Sequence, residues 1–200
     1  FITQTLEDSN IQSDFVQVDE DTRINVKLKS GQETEINAPG PKVTHAQFEQ
    51  LLSQIRRTTK DDIVIVAGSV PNSIPSDAYA QIAQITEKTG AQLVVDAEKD
   101  LVETVLPYRP LFIKPNKDEL EVMFNTTVKS DEDVIKYGKE ILKKGAQSVI
   151  ISLGGDGAIY VDQHQSIKAV NPQGHVVNTV GSGDSTVAGM VAGLSMGLNV

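Results

Sequence analysis

From residue 44 onward, segments with apolar residues at helical spacing alternate with short apolar runs, and this alternation constrains the fold more than any single motif. Thr44 with Gln47 three positions later is a capping-box start, and Phe48, Leu51, Leu52 and Ile55 follow at helical spacing. Ile63-Val64-Ile65-Val66-Ala67 is a continuous apolar run, as expected of a strand covered on both faces. Ser76 reads as the cap of a helix bearing Ala78, Ile82 and Ile85. Leu93-Val94-Val95, Leu111-Phe112-Ile113 and Val149-Ile150-Ile151 read as further strands. Helices over Leu101 to Leu106 and from Ser130 through Leu142 separate them. Gly157 to Val161 and Ser166 to Val170 read as a hairpin, and a last helix opens near Ser182 with Val187, Val191 and Leu194. The alternation predicts βαβ units in an α/β fold, with a mostly parallel sheet and helices on both faces.

Residues 15–38 follow a different period. Phe15, Val16 and Val18, then Ile24, Val26 and Leu28, then Ile36 alternate with polar residues, and Ser30-Gly31-Gln32 reads as a turn. A small antiparallel sheet with one wet face is expected. Phe1-Ile2-Thr3-Gln4-Thr5-Leu6 resembles the inside of a helix, so the sequence reads as a fragment of a longer chain.

Composition narrows the function. The 200 residues carry 18 Lys plus Arg against 27 Asp plus Glu, for a formal charge of -9, which argues against sequence-independent nucleic-acid binding. With no cysteine, disulfides, thiol catalysis and thiolate metal sites are excluded. No apolar run approaches the roughly 20 residues that span a bilayer. His45, His164 and His175 are scattered, with no metal-ligand spacing, and read as surface residues.

In an open parallel sheet, ligands bind beyond the carboxyl ends of the strands. The residues there are Gly68-Ser69, Asp96, Lys114-Pro115-Asn116, Ser152-Leu153-Gly154-Gly155 and the loop Thr179 to Asp184. In the last of these, Gly181 and Gly183 flank Ser182 immediately before a helix, an arrangement that turns backbone N–H groups toward an anion. Asp184 then has two readings: a helix cap, or a general base taking a proton from an attacking hydroxyl. Asn116 and Glu119, three apart, are either a cap and its partner or two oxygen donors near a hydrated magnesium ion. Arg23 is either a solvated strand residue or a planar fork for phosphate, and Asn25 shares its sheet face. Ser69 either satisfies loop backbone or donates to a phosphate. Lys114 is a strand-end charge or an approach to nucleotide phosphates. Gly154 and Gly157 serve a tight turn, and Asp96 reads as a cap for the following helix, outside the site.

Taken in order, these stretches resemble the ribokinase-like sugar kinases, in the branch called the phosphofructokinase B family. Gly181-Ser182-Gly183-Asp184 is similar to that family's second signature, and Lys114-Pro115-Asn116 with Glu119 to its Asn-x-x-Glu element. Thr22-Arg23-Ile24-Asn25 resembles the lid-strand motif, Gly68-Ser69-Val70-Pro71 the loop at the sugar phosphate, and Ser152 to Ala158 the nucleotide-binding turn. The texture of Ile24 to Lys29 and Glu33 to Pro41 is most similar to the kinases of fructose 1-phosphate, with tagatose-6-phosphate kinase a close relative.

The resemblance implies a three-layer αβα sandwich over residues 1–14 and 39–200 with a β lid over 15–38. It implies phosphoryl transfer from ATP to fructose 1-phosphate, giving fructose 1,6-bisphosphate. Asp184 would be the base, beside the backbone N–H groups of Gly181, Ser182 and Gly183. Arg23, Asn25 and Ser69 would hold the sugar phosphate. Lys114, Ser152, Gly154, Gly157 and Thr179 would hold ATP, and Asn116 with Glu119 would hold Mg2+, through water. It further implies a cytoplasmic enzyme, with no nucleic-acid or membrane partner and a homodimer contact through the lid. A non-catalytic sugar-phosphate sensor on the same fold is the alternative of another class. Two departures stand out. Asn178 occupies a position where many such kinases carry an acidic residue of a monovalent-cation loop, which argues against K+ activation. The family's first strands, with a Gly-Gly sugar motif, and its adenine-covering segment have no counterpart in this sequence.

Overall fold

The computed structural model describes residues 2–30 and 32–200. The chain divides into two units: Phe1–Gln54 with Val70–Pro75, and Ile55–Ser69 with Ser76–Val200.

The first unit holds helix α1 (Ile2–Asp8), strands β1 (Asn25–Ser30) and β2 (Gln32–Asn37), and helix α2 (His45–Ile55). β1 and β2 pair antiparallel with Val26 opposite Ile36 and Leu28 opposite Thr34. The turn read at Ser30-Gly31-Gln32 centres on Gly31, which lies outside the described residues, as does Phe1. α2 begins with the expected capping box: Gln47 Oε1 accepts from the Thr44 amide at 2.8 Å, and Thr44 Oγ1 accepts from the Gln47 amide at 3.3 Å. The expectation of a strand over Phe15 to Val18 is corrected. This segment is irregular: Gln17 O accepts from Gln47 Nε2 at 2.8 Å, and just before the segment Asp14 O accepts from Gln54 Nε2 at 2.7 Å. Side-chain donors on α2 thus replace a sheet partner.

The second unit is a six-stranded sheet with helices on both faces. In chain order its elements are β3 (Ile63–Ala67), α3 (Ala78–Thr89), β4 (Gln92–Asp96), α4 (Lys99–Val105), β5 (Phe112–Ile113), α5 (Lys117–Phe124), α6 (Asp131–Lys144), β6 (Ser148–Ser152), β7 (Ala158–Asp162), β8 (Ser166–Ala169) and α7 (Ser182–Ser195). The strands lie in sequence order, β3 to β6 parallel and β7 and β8 antiparallel.

Strand alternation decides which helix covers which face. Val187 of α7 packs with Val94, Phe112 and Ile150, joined by Tyr160 and Met190. Gly138 of α6 lies on the opposite face, where an added Cβ would stand 3.0 Å from Val161 Cγ2 and 3.4 Å from Ile151 Cδ1. The missing side chain lets α6 settle against β6 and β7. Ser130 Oγ caps α6 by accepting from the Asp133 amide, three acids occupy its first turn, and Lys143 and Lys144 its last, each favourable to the helix dipole.

Two further expectations are corrected. Ser76 does not cap α3; Asp77 holds that position and makes no side-chain cap bond. β3 is apolar but not covered on both faces among the described residues, where it is the outer strand of the sheet and Ile65 is 46% exposed. An apolar run records compatibility with burial, whereas burial itself needs neighbours on both sides. Among the described residues no helix is long and apolar enough to cross a membrane.

Candidate active site

The parallel strands bring four polar segments to one edge of the sheet. β4 ends in Asp96, β5 runs into Lys114, and β6 ends in Ser152, whose amide donates to Pro115 O at 3.0 Å beside a parallel bridge between Asn116 and Ser152. β3 leads into Gly68, whose amide donates to Asp96 O at 3.0 Å, and Gly68 O accepts from Tyr79 Oη at 2.8 Å. Burial, reinforced by the charge of Asp96, pushes the Tyr79 phenol up to about 12. Ser69, next along the chain, is exposed.

Over this edge sits the N-terminus of α7. Gly181 is the N-cap in the left-handed region at φ 83°, a conformation that favours glycine, and no side chain caps the first turn. The Ser182 amide closes the loop onto Thr179 O at 3.1 Å. Amides in the first turn of a helix lack intrahelical acceptors, so an uncapped turn offers donors to an anion. Gly183 lies directly over Lys114: an added Cβ would stand 3.3 Å from Lys114 Nζ and 4.0 Å from Asp96 Oδ2. Lys114 is buried and paired with Asp96 Oδ1 at 3.2 Å. Asp184, one residue on, is exposed, and its carboxylate enters no hydrogen bond or ion pair among the described residues.

Between these elements lies a cleft of about 830 Å³, within the range of small-molecule sites. It brings together Lys114, Asn116, Ser152, Gly154, Gly157 and Thr179, with Ser182 and Gly183 at the helix end. Gly181, Asp184 and Glu119 are not part of its wall. Gly154 and Gly157 shape a tight turn at φ 59° and 91°, and Asn171 Nδ2 donates to Gly154 O at 2.9 Å. At Gly157 an added Cβ would meet Ala169 O at 2.0 Å, so the β7–β8 hairpin closes only around glycine.

Asn116 and Glu119 form a reciprocal capping box. Asn116 Oδ1 accepts from the Glu119 amide and Glu119 Oε2 from the Asn116 amide, each at 2.8 Å. Burial raises the Glu119 carboxyl; the Asn116 amide and Lys114 oppose the rise, while Asp96 and Glu98 add to it. Among the described residues no group of three or more His, Asp or Glu side chains is gathered closely enough to hold a metal ion alone.

In the first unit, Arg23 Nε donates to Asn25 Oδ1 at 2.8 Å, as expected for residues on one sheet face. Asn178 Oδ1 accepts from the Val180 amide at 3.1 Å, within its own loop.

Sequence reading set Asp96 aside as a cap, yet its carboxylate holds Lys114. The signal was available: Asp96 and Lys114 follow consecutive strands, which usually neighbour one another. Asn171 and Thr186, which also border the cleft, carry no pattern that would have marked them.

The family described as pfkB family carbohydrate kinase matches residues 1–200. The 1-phosphofructokinase of Bacillus subtilis is 41% identical over 195 residues, covering 98% of this chain and 64% of that relative. The D-tagatose-1-phosphate kinase of Bacillus licheniformis is 35% identical over 201 residues, covering 100% of this chain and 66% of that relative. The crystal structure of a Staphylococcus aureus protein provisionally named a phosphofructokinase superposes with a TM-score of 0.86 at 78% identity, over 98% of this chain and 64% of that one. The chain therefore spans a little under two thirds of the length of the Bacillus subtilis relative.

Proposed function

The chain belongs to the pfkB family of carbohydrate kinases, and from that premise we infer that the protein carrying it transfers the terminal phosphoryl group of ATP to fructose 1-phosphate, yielding fructose 1,6-bisphosphate. One observation carries the reading. An uncapped helix N-terminus stands over a buried lysine at the edge of a nucleotide-sized cleft, with a free carboxylate on the next residue.

Phosphoryl transfer needs positioning and charge stabilisation more than covalent chemistry. In this reading the amides of Gly183 and Asp184 and the Lys114 ammonium meet the phosphate oxygens, while the Ser182 amide holds the loop through Thr179 O. Ser152, Gly154, Gly157 and Thr179 border the space for the nucleotide. Asp184 takes the proton of the acceptor hydroxyl, a role that its exposed, unbonded carboxylate suits. Arg23, Asn25 and Ser69 are assigned to the sugar phosphate, for which the Arg fork is the fitting group.

A divalent cation fits the chemistry of the α5 start. The Glu119 carboxyl lies in the field of Asp96 and Glu98, which an added cation would relieve. Magnesium keeps most of its waters and asks little of the protein, so Asn116 and Glu119 would hold it through water. When bound, it neutralises charge developing on the phosphates. In the same reading the homodimer contact uses the β1–β2 sheet, whose exposed apolar residues Val26, Leu28 and Ile36 support it.

The 35% identity to a tagatose-1-phosphate kinase favours one second reading, a tagatose phosphate as acceptor. The deciding experiment measures ATP consumption by the protein carrying this chain, against fructose 1-phosphate, fructose 6-phosphate, tagatose 1-phosphate and tagatose 6-phosphate. The highest kcat/KM is expected with fructose 1-phosphate. Preference for a tagatose phosphate would replace the substrate. No turnover with any of the four, alongside tight binding of one, would favour a non-catalytic sensor.

A further inference from the structure

We propose that Asp96 is a positioning residue for the nucleotide, acting through Lys114: its carboxylate pins the lysine ammonium beneath Gly183, at the place where the ATP phosphates are received. The proposal rests on the kinase reading above and deepens it.

Sheet register builds the pair. β4 and β5 are parallel with Val95 opposite Ile113, and the Lys114 amide donates to Val95 O at 3.1 Å. Asp96 and Lys114 are thus the next matched positions, where side chains of neighbouring strands emerge on the same face. The ammonium and carboxylate meet at 3.2 Å, with the Lys114 side chain 7% exposed and that of Asp96 18%. Removing an ammonium from water is costly unless it is paired. A buried pair of this kind adds little stability over an apolar one. What it does supply is a fixed location for a charge on a long, otherwise mobile stem.

Gly183 points the same way. Its φ lies outside the left-handed region, so backbone conformation gives no reason for glycine there. The reason is space: a Cβ would stand 3.3 Å from Lys114 Nζ and 3.5 Å from Cε. Glycine thus lets the helix end come down onto the ammonium. Asp96 holds Lys114 from below, Gly183 leaves it room above, and Lys114 and Gly183 both border the cleft. The Asp96 backbone is itself anchored, accepting the Gly68 amide at 3.0 Å.

The test is a mutant cycle in the protein carrying this chain. Asp96→Asn is expected to raise KM for ATP by about 10- to 100-fold, the worth of one charged hydrogen bond. KM for the sugar phosphate should stay within about twofold. Asp96→Glu should recover most of the ATP affinity. In a Lys114→Met background, Asp96→Asn should change ATP affinity no further. A lowered Tm with unchanged KM for ATP would overturn the proposal, as would additive effects of the two substitutions. Gly183→Ala, which leaves both residues of the ion pair unsubstituted, should also raise KM for ATP; an unchanged value counts against the proposal. Calorimetric ATP binding reads the same cycle without turnover. An inactive wild type that binds ATP with this cycle intact would sink the kinase reading and leave the positioning role standing.

Discussion

Asn116 and Glu119 each accept the other's backbone amide across the first turn of α5, at 2.8 Å in both directions. Of the two readings open in the sequence, helix cap or metal donor, the cap is formed, and the proposed metal role must share the same two side chains. The two roles separate by experiment. Asn116→Ala should cost about 1 kcal/mol of stability through the lost cap. Asn116→Ser keeps a capping hydroxyl and should hold Tm. It should still raise the Mg2+ concentration that gives half-maximal activity. A Mg2+ titration that does not move in Asn116→Ser would remove the metal role and leave the cap.

Asp184 is expected to carry the proton transfer. Asp184→Asn keeps size and exposure while abolishing basicity, so kcat should fall by ~10²–10⁴. Calorimetric affinities for ATP and sugar phosphate should change little. Near-normal turnover in this variant would end the assignment.

Arg23 and Asn25 are bonded to each other, and that bond makes a coupled prediction. Arg23→Ala should raise KM for the sugar phosphate by about 10- to 100-fold with KM for ATP unchanged. Asn25→Ala should raise it less, and the double variant should show less than the sum, because the partners share one interaction. A loss of stability with intact sugar-phosphate affinity would return Arg23 to an ordinary strand surface.

Tyr79 predicts an alkaline signature. Its folded pKa of about 12 lies above the ordinary value of 10.0. A raised phenol pKa means the folded state keeps its proton longer than the unfolded chain. Its contribution is thus complete below pH 10 and declines as pH rises from 10 to 12. Tyr79→Phe should cost about 1 kcal/mol at neutral pH, since Gly68 O loses its donor. It should also flatten the stability profile between those two pH values. Urea unfolding at stepped pH measures both, and an unchanged alkaline slope would assign the decline to other groups.

Local signals were legible wherever the interaction is local. The Thr44–Gln47 and Ser130 caps, the start of α7 at Ser182 and the β7–β8 hairpin stand where residue type and spacing put them. At Phe15 to Val18 the segment alternates like a strand, but Gln17 O accepts from Gln47, thirty residues away, so a long-range partner overruled a local pattern. β3 reads as covered on both faces, and among the described residues Ile65 is exposed.

Taken alone, the amino-acid order determined the period of each segment, the positions where helices could start, and the glycines on which the Gly181–Asp184 turn depends, because these follow from steric and hydrogen-bonding preferences acting over a few residues. Tertiary structure alone decided that β4 and β5 align with Val95 opposite Ile113, that Lys114 is therefore buried against Asp96, and that Gly183 comes down on the pair. Strand register and helix docking are set by packing across the whole sheet, and no stretch of a dozen residues contains that information.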